Sequence, residues 1–174
     1  MKIIPLEANH DRSSFDCGSA ELNGFLRKMA RQVSSKNISR TFVLPHEEDP
    51  EKIVGFFSLT SCAVNIADIP PAEQKKYPPQ HGIPAVRLAR LAVAQKEQGK
   101  GYGEYLLTEA MIRTAAVAES VGIMGLYVDA KDDNARRFYQ KYGFVVTNLD
   151  KPIQLFLPIG TLQKLVGEGF EYPA

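Results

Sequence analysis

The sequence predicts an α/β fold in which helices flank one mixed sheet. Segments rich in β-branched and aliphatic residues recur along the chain, and in its second half helical patterns separate successive strands. Between the central strand and the longest helix lies a stretch dense in glycine. The chain has 174 residues, 44% apolar and 24% charged, values typical of a globular domain with a sizeable core. No internal repeat marks a boundary, so residues 1–174 are predicted to form a single domain.

The overall composition says more about the protein's expected location than about its function. A net charge of +1 argues neither for nor against nucleic acid, so any basic binding surface must be local. No stretch approaches the roughly 20 apolar residues that a membrane-spanning helix needs. The residues from Met1 to Glu7 contain no apolar run typical of a signal peptide.

The cysteines and histidines do not indicate a metal site. Cys17 and Cys62 lack metal-ligand spacing, and two thiols make no disulfide framework. The three histidines, His10, His46 and His81, are scattered along the chain. We therefore expect no bound metal and two free thiols, as in a protein of the reducing cytoplasm.

Before the central strand, the sequence predicts a short opening strand, a helix and a pair of longer strands. Ser19 is a suitable helix N-cap, because apolar residues from Leu22 to Met29 repeat at helical spacing behind it. Five prolines between Ile66 and Pro84 predict an irregular connection with at most one short helix, because proline lacks an N–H donor. The predicted strands are Lys2 to Leu6, Thr41 to Pro45 and Ile53 to Val64, the last two pairing with each other.

From the central strand onward, strands and helices alternate. Tyr102 to Val121 is an amphipathic helix, for which Gly122 is a suitable C-terminal stop. A second helix, Asp133 to Tyr142, is closed by Gly143. The predicted strands are Val86 to Ala94, Ile123 to Ala130, Phe144 to Asn148 and Ile153 to Leu157, and Thr161 to Val166 is expected to form a short helix.

The glycine-rich stretch from Gln98 to Gly103 predicts an anion-binding loop. Glycine lets the backbone approach a ligand closely, and the free N–H groups and dipole of the following helix favour negative charge. The stretch is not a P-loop, since no Lys-Ser/Thr follows its last glycine, and its glycine spacing does not fit a dinucleotide fingerprint. A phosphorylated cofactor suits this loop best, and the alternative is a flexible turn between strand and helix.

Two stretches together match the motifs of one superfamily. The matching residues are Gln98, Gly101 and Gly103, after a Leu-Ala-Val strand, and, farther along the chain, Asn134, Tyr139, Gly143 and Phe144. The first set resembles the acetyl-CoA loop of the GNAT acetyltransferases, Gln/Arg-x-x-Gly-x-Gly/Ala, and the second resembles the strand-to-helix motif of the same superfamily. The resemblance implies the GNAT acyl-CoA N-acyltransferase fold, with a central splayed mixed sheet flanked by helices, and acetyl-CoA as cofactor.

The resemblance also implies a catalytic role for Tyr139, which lies where family members place a general acid. A phenol of pKa about 10 is well matched to a leaving thiol of pKa about 8.5. The alternative is a core or surface tyrosine, because Phe138 and Tyr142 share its helix.

The implied cofactor contacts are made mainly by backbone. N–H groups of the central strand would polarise the thioester carbonyl. Asn134 would bond the pantetheine arm, or it is only a residue at the helix N-terminus behind Asp133. The implied cofactor-binding residues are Leu91, Ala92, Val93, Gln98, Gly99, Lys100, Gly101, Tyr102, Gly103 and Asn134.

The central strand carries arginines and lacks the glutamate that often serves GNAT enzymes as a base. Val86 to Ala94 offers Arg87 and Arg90 and no carboxylate. A lysine amine, of pKa about 10.4, benefits from such a base at neutral pH, whereas an α-amine, of pKa about 7.7–8.0, needs less help. Arginines also suit an anionic acceptor better than a polyamine. These residues favour an α-amine on an anionic substrate.

Six collinear segments cover nearly the whole chain and resemble one GNAT branch. They are Phe-Asp-Cys-Gly-Ser-Ala-Glu-Leu-Asn-Gly-Phe-Leu from Phe15, Ser-Arg-Thr-Phe-Val-Leu from Ser39, Val-Gly-Phe-Phe-Ser-Leu from Val54, Arg-Leu-Ala-Val from Arg90, Val-Asp-Ala from Val128, and Leu-Phe-Leu-Pro from Leu155. The branch is that of the TacT/AtaT-like toxins of type II toxin–antitoxin systems. It implies acetylation of the α-amine of aminoacyl-tRNA, a block of translation, a ribbon-helix-helix antitoxin as partner, and a homodimer. One departure is Ala89, where relatives commonly have glycine.

The same resemblance makes a set of cations candidate contacts to tRNA phosphates. For the segment from Arg27 to Arg40, the alternative is a solvated helix face and loop. The candidates are Arg27, Lys28, Arg31, Lys36, Arg40, Arg87, Arg90, Arg136 and Arg137.

Three functions of different classes remain open on the sequence. The first is an aminoacyl-tRNA acetyltransferase toxin, and the second is an N-acetyltransferase acting on a small-molecule or protein amine. The third is a non-catalytic acetyl-CoA-binding or antitoxin-binding module. The presence of Tyr139 favours an enzyme over the third.

Overall fold

The computed structural model describes residues 1–78, 82–150 and 152–169. Within them the chain forms a mixed sheet flanked by helices, which confirms the predicted fold class. The strands are β1 (Ile4–Pro5), β2 (Arg40–Pro45), β3 (Ile53–Val64), β4 (Ile83–Val93), β5 (Gly125–Ala130), β6 (Val145–Asn148) and β7 (Ile153–Pro158). Their order in the sheet is β1-β2-β3-β4-β5-β7-β6.

The helices lie between these strands and at the end of the described chain. Two are single 3₁₀ turns, at Ile66–Asp68 and Gln95–Glu97, and one is a π-helical turn, at Phe25–Met29. The α-helices are α1 (Ala20–Gly24), α2 (Ala30–Ser35), α3 (Pro71–Gln74), α4 (Tyr102–Ser120), α5 (Asp133–Lys141) and α6 (Ile159–Gly167). No helix of the described residues is long and apolar enough to cross a bilayer.

The chain's internal contacts group into two compact units. The first unit holds Met1–Thr60 and Ala89–Ala110, and the second holds Ser61–Leu88 and the described residues from Met111 onward. The strands β3 and β4 and the helix α4 each continue from one unit into the other. The single domain stays a prediction.

In the first unit, α1, the π-helical turn and α2 pack on the β2–β3 strand pair. β2 and β3 are antiparallel, as predicted, with Val43 opposite Phe56. Ser19 caps α1, as predicted, because its hydroxyl accepts a hydrogen bond from the Leu22 N–H. The buried side chains between helices and sheet include Phe15, Phe25, Leu26, Ala30, Val43, Phe56 and Ala92.

In the second unit, β4 runs parallel to β5, and β7 lies antiparallel between β5 and β6. The β4–β5 register covers only Val86–Leu88 of β4. Gly125, at the start of β5, packs so closely on β7 that a Cβ there would lie 2.2 Å from the Leu157 carbonyl oxygen. This close approach explains why β5 opens with glycine.

Some element boundaries differ from the predicted ones. The connection after β3 contains two short helical turns, a 3₁₀ turn and α3, where at most one short helix was expected. Ile83 and Pro84 belong to β4, because proline is tolerated at the start of a strand. β5 begins at Gly125, two residues after the predicted start. His81 lies outside the described residues.

Helix α5 ends in a Schellman motif that fixes Tyr139. The Phe144 N–H donates to the Tyr139 carbonyl and the Gly143 N–H donates to the Gln140 carbonyl. Gly143 has φ of 89°, the left-handed conformation that this cap requires. The rings of Tyr139 and Phe144 lie 5.5 Å apart, the apolar contact that accompanies the motif. The Gly-Phe pair of the sequence motif therefore has a structural role in holding the tyrosine.

Gly122 does not act as the predicted helix stop. α4 ends at Ser120, and Gly122 is not among the glycines of positive φ. Its position therefore does not require glycine, because a Cβ there would meet nothing within 4 Å.

The two glycines should respond differently to the same substitution. Gly143→Ala forces an alanine into the left-handed region and should lower the free energy of unfolding by about 1–2 kcal/mol. Gly122→Ala is the matched control and should change it by less than about 0.5 kcal/mol. Urea unfolding of both variants measures the difference, and equal effects would contradict the role assigned to Gly143.

Candidate functional site

The glycine loop is anchored by the side chain of Gln98, in the first unit. Its amide nitrogen donates to the Val93 carbonyl at 3.0 Å and to the Cys17 carbonyl at 3.2 Å. The Gln95 N–H also donates to the Asp16 carbonyl, at 2.9 Å. Gln98 therefore ties the loop to the end of β4 and to the segment before α1, which gives a local physical reason for glutamine at this position of the motif. The 3₁₀ turn that precedes it was not predicted.

The loop has the conformation and the open space that an anion needs. Gly99 and Gly101 have φ of 78° and 84°, and a Cβ on either would meet nothing within 4 Å. Among the described residues, no group accepts from the N–H groups of Gly99, Lys100 and Gly101. The N–H groups of the first turn of α4 are likewise free of intrahelical partners by helix geometry. These donors suit the phosphates of a cofactor.

Lys100 contributes less free charge to this loop than its sequence position suggests. Its ammonium lies 2.8 Å from the Glu97 carboxylate. That hydrogen bond raises the pKa of Lys100 and lowers the pKa of Glu97. Attraction of an anion therefore depends mainly on backbone N–H groups.

At the end of β4, the backbone N–H groups on the side away from β3 are available as hydrogen-bond donors. The Ala94 N–H donates to the Val54 carbonyl of β3 at 2.8 Å, so by strand alternation Leu91 and Val93 direct their N–H groups away from β3. The β4–β5 register ends at Leu88 and does not reach these residues. The side chains of Leu91 and Val93 are half-buried, whereas Ala92 is buried in the core.

Tyr139 is a buried residue of α5, in the second unit. It is only 7% exposed, and its ring lies 5.2 Å from that of Phe138. Burial raises the pKa of the phenol above its ordinary value. The hydroxyl therefore keeps its proton throughout the neutral and mildly alkaline range, as a proton donor must.

Asn134 lies in the first turn of α5. The N-cap of this helix is Asp132, whose carboxylate accepts from the Ala135 N–H at 2.8 Å. The Asn134 amide oxygen accepts a short hydrogen bond from the Arg137 guanidinium. Its bond to a pantetheine arm stays a prediction.

Arg87 has a carboxylate partner that the sequence analysis missed. Its guanidinium lies 3.1 Å from Asp129 of β5 and 5.0 Å from the centre of the Tyr127 ring. Burial and the nearby Asp129 charge raise the pKa of Tyr127 to about 12. The signal for this pair was an aspartate inside an otherwise apolar strand, since such a charge needs a partner. The central strand itself still offers no carboxylate.

The structure separates the predicted tRNA-binding cations into two groups. Five are engaged within the chain: Arg27 with the Phe15 carbonyl, Arg40 with Ser34 and Asn37, Arg87 with Asp129, Arg136 with Asp133, and Arg137 with Asn134. Lys28, Arg31 and Lys36 are exposed, and their side chains make no hydrogen bond or ion pair with any described residue. Arg90 stacks on Phe25 and also lacks a polar partner there.

The predicted site residues are divided between the two units. Asn134 and Tyr139 lie in the second unit with Arg87, Arg136 and Arg137. The loop, the end of β4, Arg90 and the cations before β3 all belong to the first unit.

Comparison with known sequences identifies the family. A model described as an acetyltransferase (GNAT) domain matches residues 37–146. The chain is 32% identical over 173 residues to a protein of Sinorhizobium fredii named "Probable toxin TacT", covering 95% of this chain and 94% of that protein. It is 35% identical over 158 residues to a "tRNA-acetylating toxin" of Mycobacterium tuberculosis, covering 91% of this chain and 92% of that protein.

Solved structures show the same relationship. A tyrosine-to-phenylalanine mutant of KacT superposes with a TM-score of 0.88 at 29% identity, covering 94% of this chain and 98% of that chain. AtaT complexed with acetyl-methionyl-tRNAfMet gives 0.86 at 31% identity, with 95% and 98% covered. An AtaT mutant bound to acetyl-CoA and the C-terminus of the antitoxin AtaR gives 0.79 at 28% identity, with 95% and 97% covered.

These findings confirm the predicted resemblance to TacT/AtaT-like toxins, and the predicted cofactor agrees with the acetyl-CoA bound by AtaT. The matching family model spans well over half of the chain, and both named relatives exceed 30% identity. The chain belongs to the GNAT acetyltransferase family.

Proposed function

We propose that this acetyltransferase transfers the acetyl group of acetyl-CoA to the α-amine of an aminoacyl-tRNA and thereby blocks translation. The observation that carries the proposal is the nearly full-length similarity to a protein named as a tRNA-acetylating toxin. The structure of AtaT with acetyl-methionyl-tRNA supports it, because that RNA carries the acetyl group on its amino acid.

The first unit has the groups to hold the cofactor. The N–H groups from Gly99 to Gly103 would bind its phosphates, with Gln98 keeping the loop in place. The N–H groups of Leu91 and Val93 would stabilise negative charge on an acyl carbonyl oxygen. When bound, acetyl-CoA supplies the acetyl group as an activated thioester.

The second unit supplies the proton donor. Tyr139 holds a proton on its phenol oxygen, and burial keeps that proton in place at neutral pH. Its role is to protonate the sulfur that leaves as the C–S bond breaks. The acceptor needs no strong base, because an α-amine of pKa about 7.7–8.0 is partly neutral at physiological pH.

The proposal includes an RNA-binding surface and protein partners. Lys28, Arg31 and Lys36 have unneutralised charges suited to tRNA phosphates. By analogy with AtaT, bound to the AtaR C-terminus, we include an antitoxin of ribbon-helix-helix type, a homodimer, and action in the cytoplasm.

Acetyl transfer to charged tRNA tests the proposed function directly. Labelled acetyl-CoA is incubated with the protein and either aminoacylated or deacylated tRNA. We expect label only on the aminoacylated pool. Absence of label there, with thioester cleavage stimulated by small amines, would contradict the proposal and favour a small-molecule or protein acceptor.

Removing the Tyr139 hydroxyl tests the proton donor. Tyr139→Phe should lower kcat roughly 10²–10⁴-fold while leaving acetyl-CoA affinity unchanged, because only protonation of the leaving sulfur is lost. Tyr142→Phe, the same change on the same helix, is the control and should retain kcat within about threefold. Equal kcat for both variants and the wild type would remove Tyr139 from the mechanism.

The pH dependence of kcat follows from the raised pKa of Tyr139. A proton donor is active below its pKa, so a raised pKa moves the loss of activity to higher pH. We expect kcat/KM to rise near pH 7–8, where the α-amine of the acceptor loses its proton. Above that range we expect kcat to stay level to about pH 10, because Tyr139 keeps its proton. A falling limb below that pH, absent from the residual activity of Tyr139→Phe, would contradict this assignment.

A further inference from the structure

Asp129 is a half-buried carboxylate in the strand β5 of the second unit. Its Oδ2 atom accepts a hydrogen bond from the Arg87 guanidinium at 3.1 Å. Its Oδ1 atom is buried and has no hydrogen-bond partner among the described residues. The side chain is 33% exposed, so Oδ2 is the oxygen that a ligand can reach. A carboxylate oxygen accepts more than one hydrogen bond, and Oδ2 can therefore take a second donor beside Arg87.

The direction of the Asp129 carboxylate is fixed by the way in which Arg87 is held. The Arg87 guanidinium carbon lies 5.0 Å from the centre of the Tyr127 ring, and Tyr127 is buried in the core. Arg87 also interacts with the thiol of Cys62, on β3. All these residues belong to the second unit. The carboxylate is thus oriented by a packed ion pair, as a group that must meet a substrate atom needs to be.

Asp129 lies at the point where β5 ceases to pair with β4. The register between these two strands ends with Leu88 opposite Val128. On its other side β5 remains paired, with Asp129 opposite Gln154 of β7. From Asp129 onward, the side of β5 away from β7 therefore has no strand partner in the described part of the chain.

Asp129 and the end of the helix that carries Tyr139 lie on opposite faces of the sheet. Side chains alternate along a strand, so Asp129 and Leu126 point to opposite faces. Leu126 shares its face with Leu157, its cross-strand partner in β7. The end of α5 packs on that face, because a Cβ on Gly143 would lie 3.5 Å from a methyl carbon of Leu157. This separation keeps a group that takes up a proton apart from the group that donates one.

We infer that Asp129 binds the α-amino group of the acceptor and takes its proton as the amide bond forms. The inference rests on the proposed function and assigns to it the residue that recognises the amine. A carboxylate attracts an amine and repels the phosphates of RNA. The α-amine is also the group that distinguishes an aminoacylated 3′ end from the neutral hydroxyls of a deacylated one.

The proton taken by Asp129 balances the proton given by Tyr139. The neutral amine nitrogen forms a bond to the acetyl carbon, and the C=O electron pair moves to the carbonyl oxygen. The nitrogen becomes cationic in this step, and Oδ2 of Asp129 accepts one of its protons. As the C=O bond forms again, the C–S bond breaks and the sulfur takes the proton of Tyr139. Asp129 then loses its proton to solvent, and Tyr139 regains one from it.

Binding of two matched RNAs tests the contact with the amine. Both carry the same side chain at the 3′ end, one as the α-amino acid and the other as the α-hydroxy acid. Asp129→Asn should weaken binding of the aminoacyl form about 10-fold and change binding of the hydroxyacyl form by less than about twofold. Asp49→Asn also removes a carboxylate from an ion pair, with Lys52 in the first unit, and should change neither.

Turnover with charged tRNA tests the proton transfer. Asp129→Asn should lower kcat roughly 10²-fold, because the proton acceptor is lost, and KM for acetyl-CoA should stay within about twofold. Asp129→Glu keeps the carboxylate and should recover part of the lost kcat. Asp49→Asn is again the control and should retain the wild-type kcat.

Each other result overturns the inference in a distinct way. Equal weakening of both RNAs, or a lowered melting temperature with no recovery in Asp129→Glu, would make the Arg87–Asp129 pair structural. Unchanged binding and kcat in Asp129→Asn would remove Asp129 from the site. A raised KM for acetyl-CoA would assign the carboxylate to the cofactor. These three results leave the proposed function intact, whereas a wild-type protein that does not acetylate charged tRNA would end both.

Discussion

The end of β4 is hydrogen-bonded to a neighbouring strand on one side only. The candidate cofactor-binding groups of the first unit depend on this constraint. Beyond Leu88 the strand has no register with β5, while its other side still bonds to β3 through Ala94 and Val54. Backbone donors of a central strand are normally consumed by the sheet, and here two of them remain available. Gln98 then holds the chain as it leaves the strand, so the glycine loop and the start of α4 follow in a fixed position.

A second fixed group in the molecule is the tyrosine at the end of α5. The Schellman motif needs a left-handed residue and an apolar contact across it, and Gly143 and Phe144 supply both. The same contact buries Tyr139 and raises its pKa. Helix capping, core packing and proton retention are thus consequences of one short sequence motif.

The features predicted well from the sequence were local ones. The glycine loop, the Ser19 cap and the extent of α4 are each specified by neighbouring residues, and local chemistry was enough to place them. The amphipathic pattern predicted for α4 is weak in the structure, where Ile112 and Val117 are exposed. Gly122 shows the limit, because a glycine after a helix is needed only where the backbone is left-handed, and here it is not.

The partners of the arginines could not be predicted in the same way. Arg27 bonds to Phe15 and Arg87 to Asp129, residues that only the folded chain brings together. On the sequence, the nine cations are therefore equivalent candidates. In the described structure, three of them have exposed side chains without a hydrogen-bond or ion-pair partner, and a fourth stacks on an aromatic ring. Which of these charges stay without a partner among the described residues depends on tertiary structure alone.

The chemical identity of the acetylated group tests the central claim most directly. tRNA from cells expressing the wild-type chain can be digested with ribonuclease to release the terminal aminoacyl-adenosine for mass spectrometry. We predict aminoacyl-adenosine that carries one acetyl group on its α-amine, and we predict that this product is absent when Tyr139→Phe is expressed. Unmodified aminoacyl-adenosine in cells whose growth the protein arrests, or acetyl groups on internal nucleosides or protein lysines only, would contradict it.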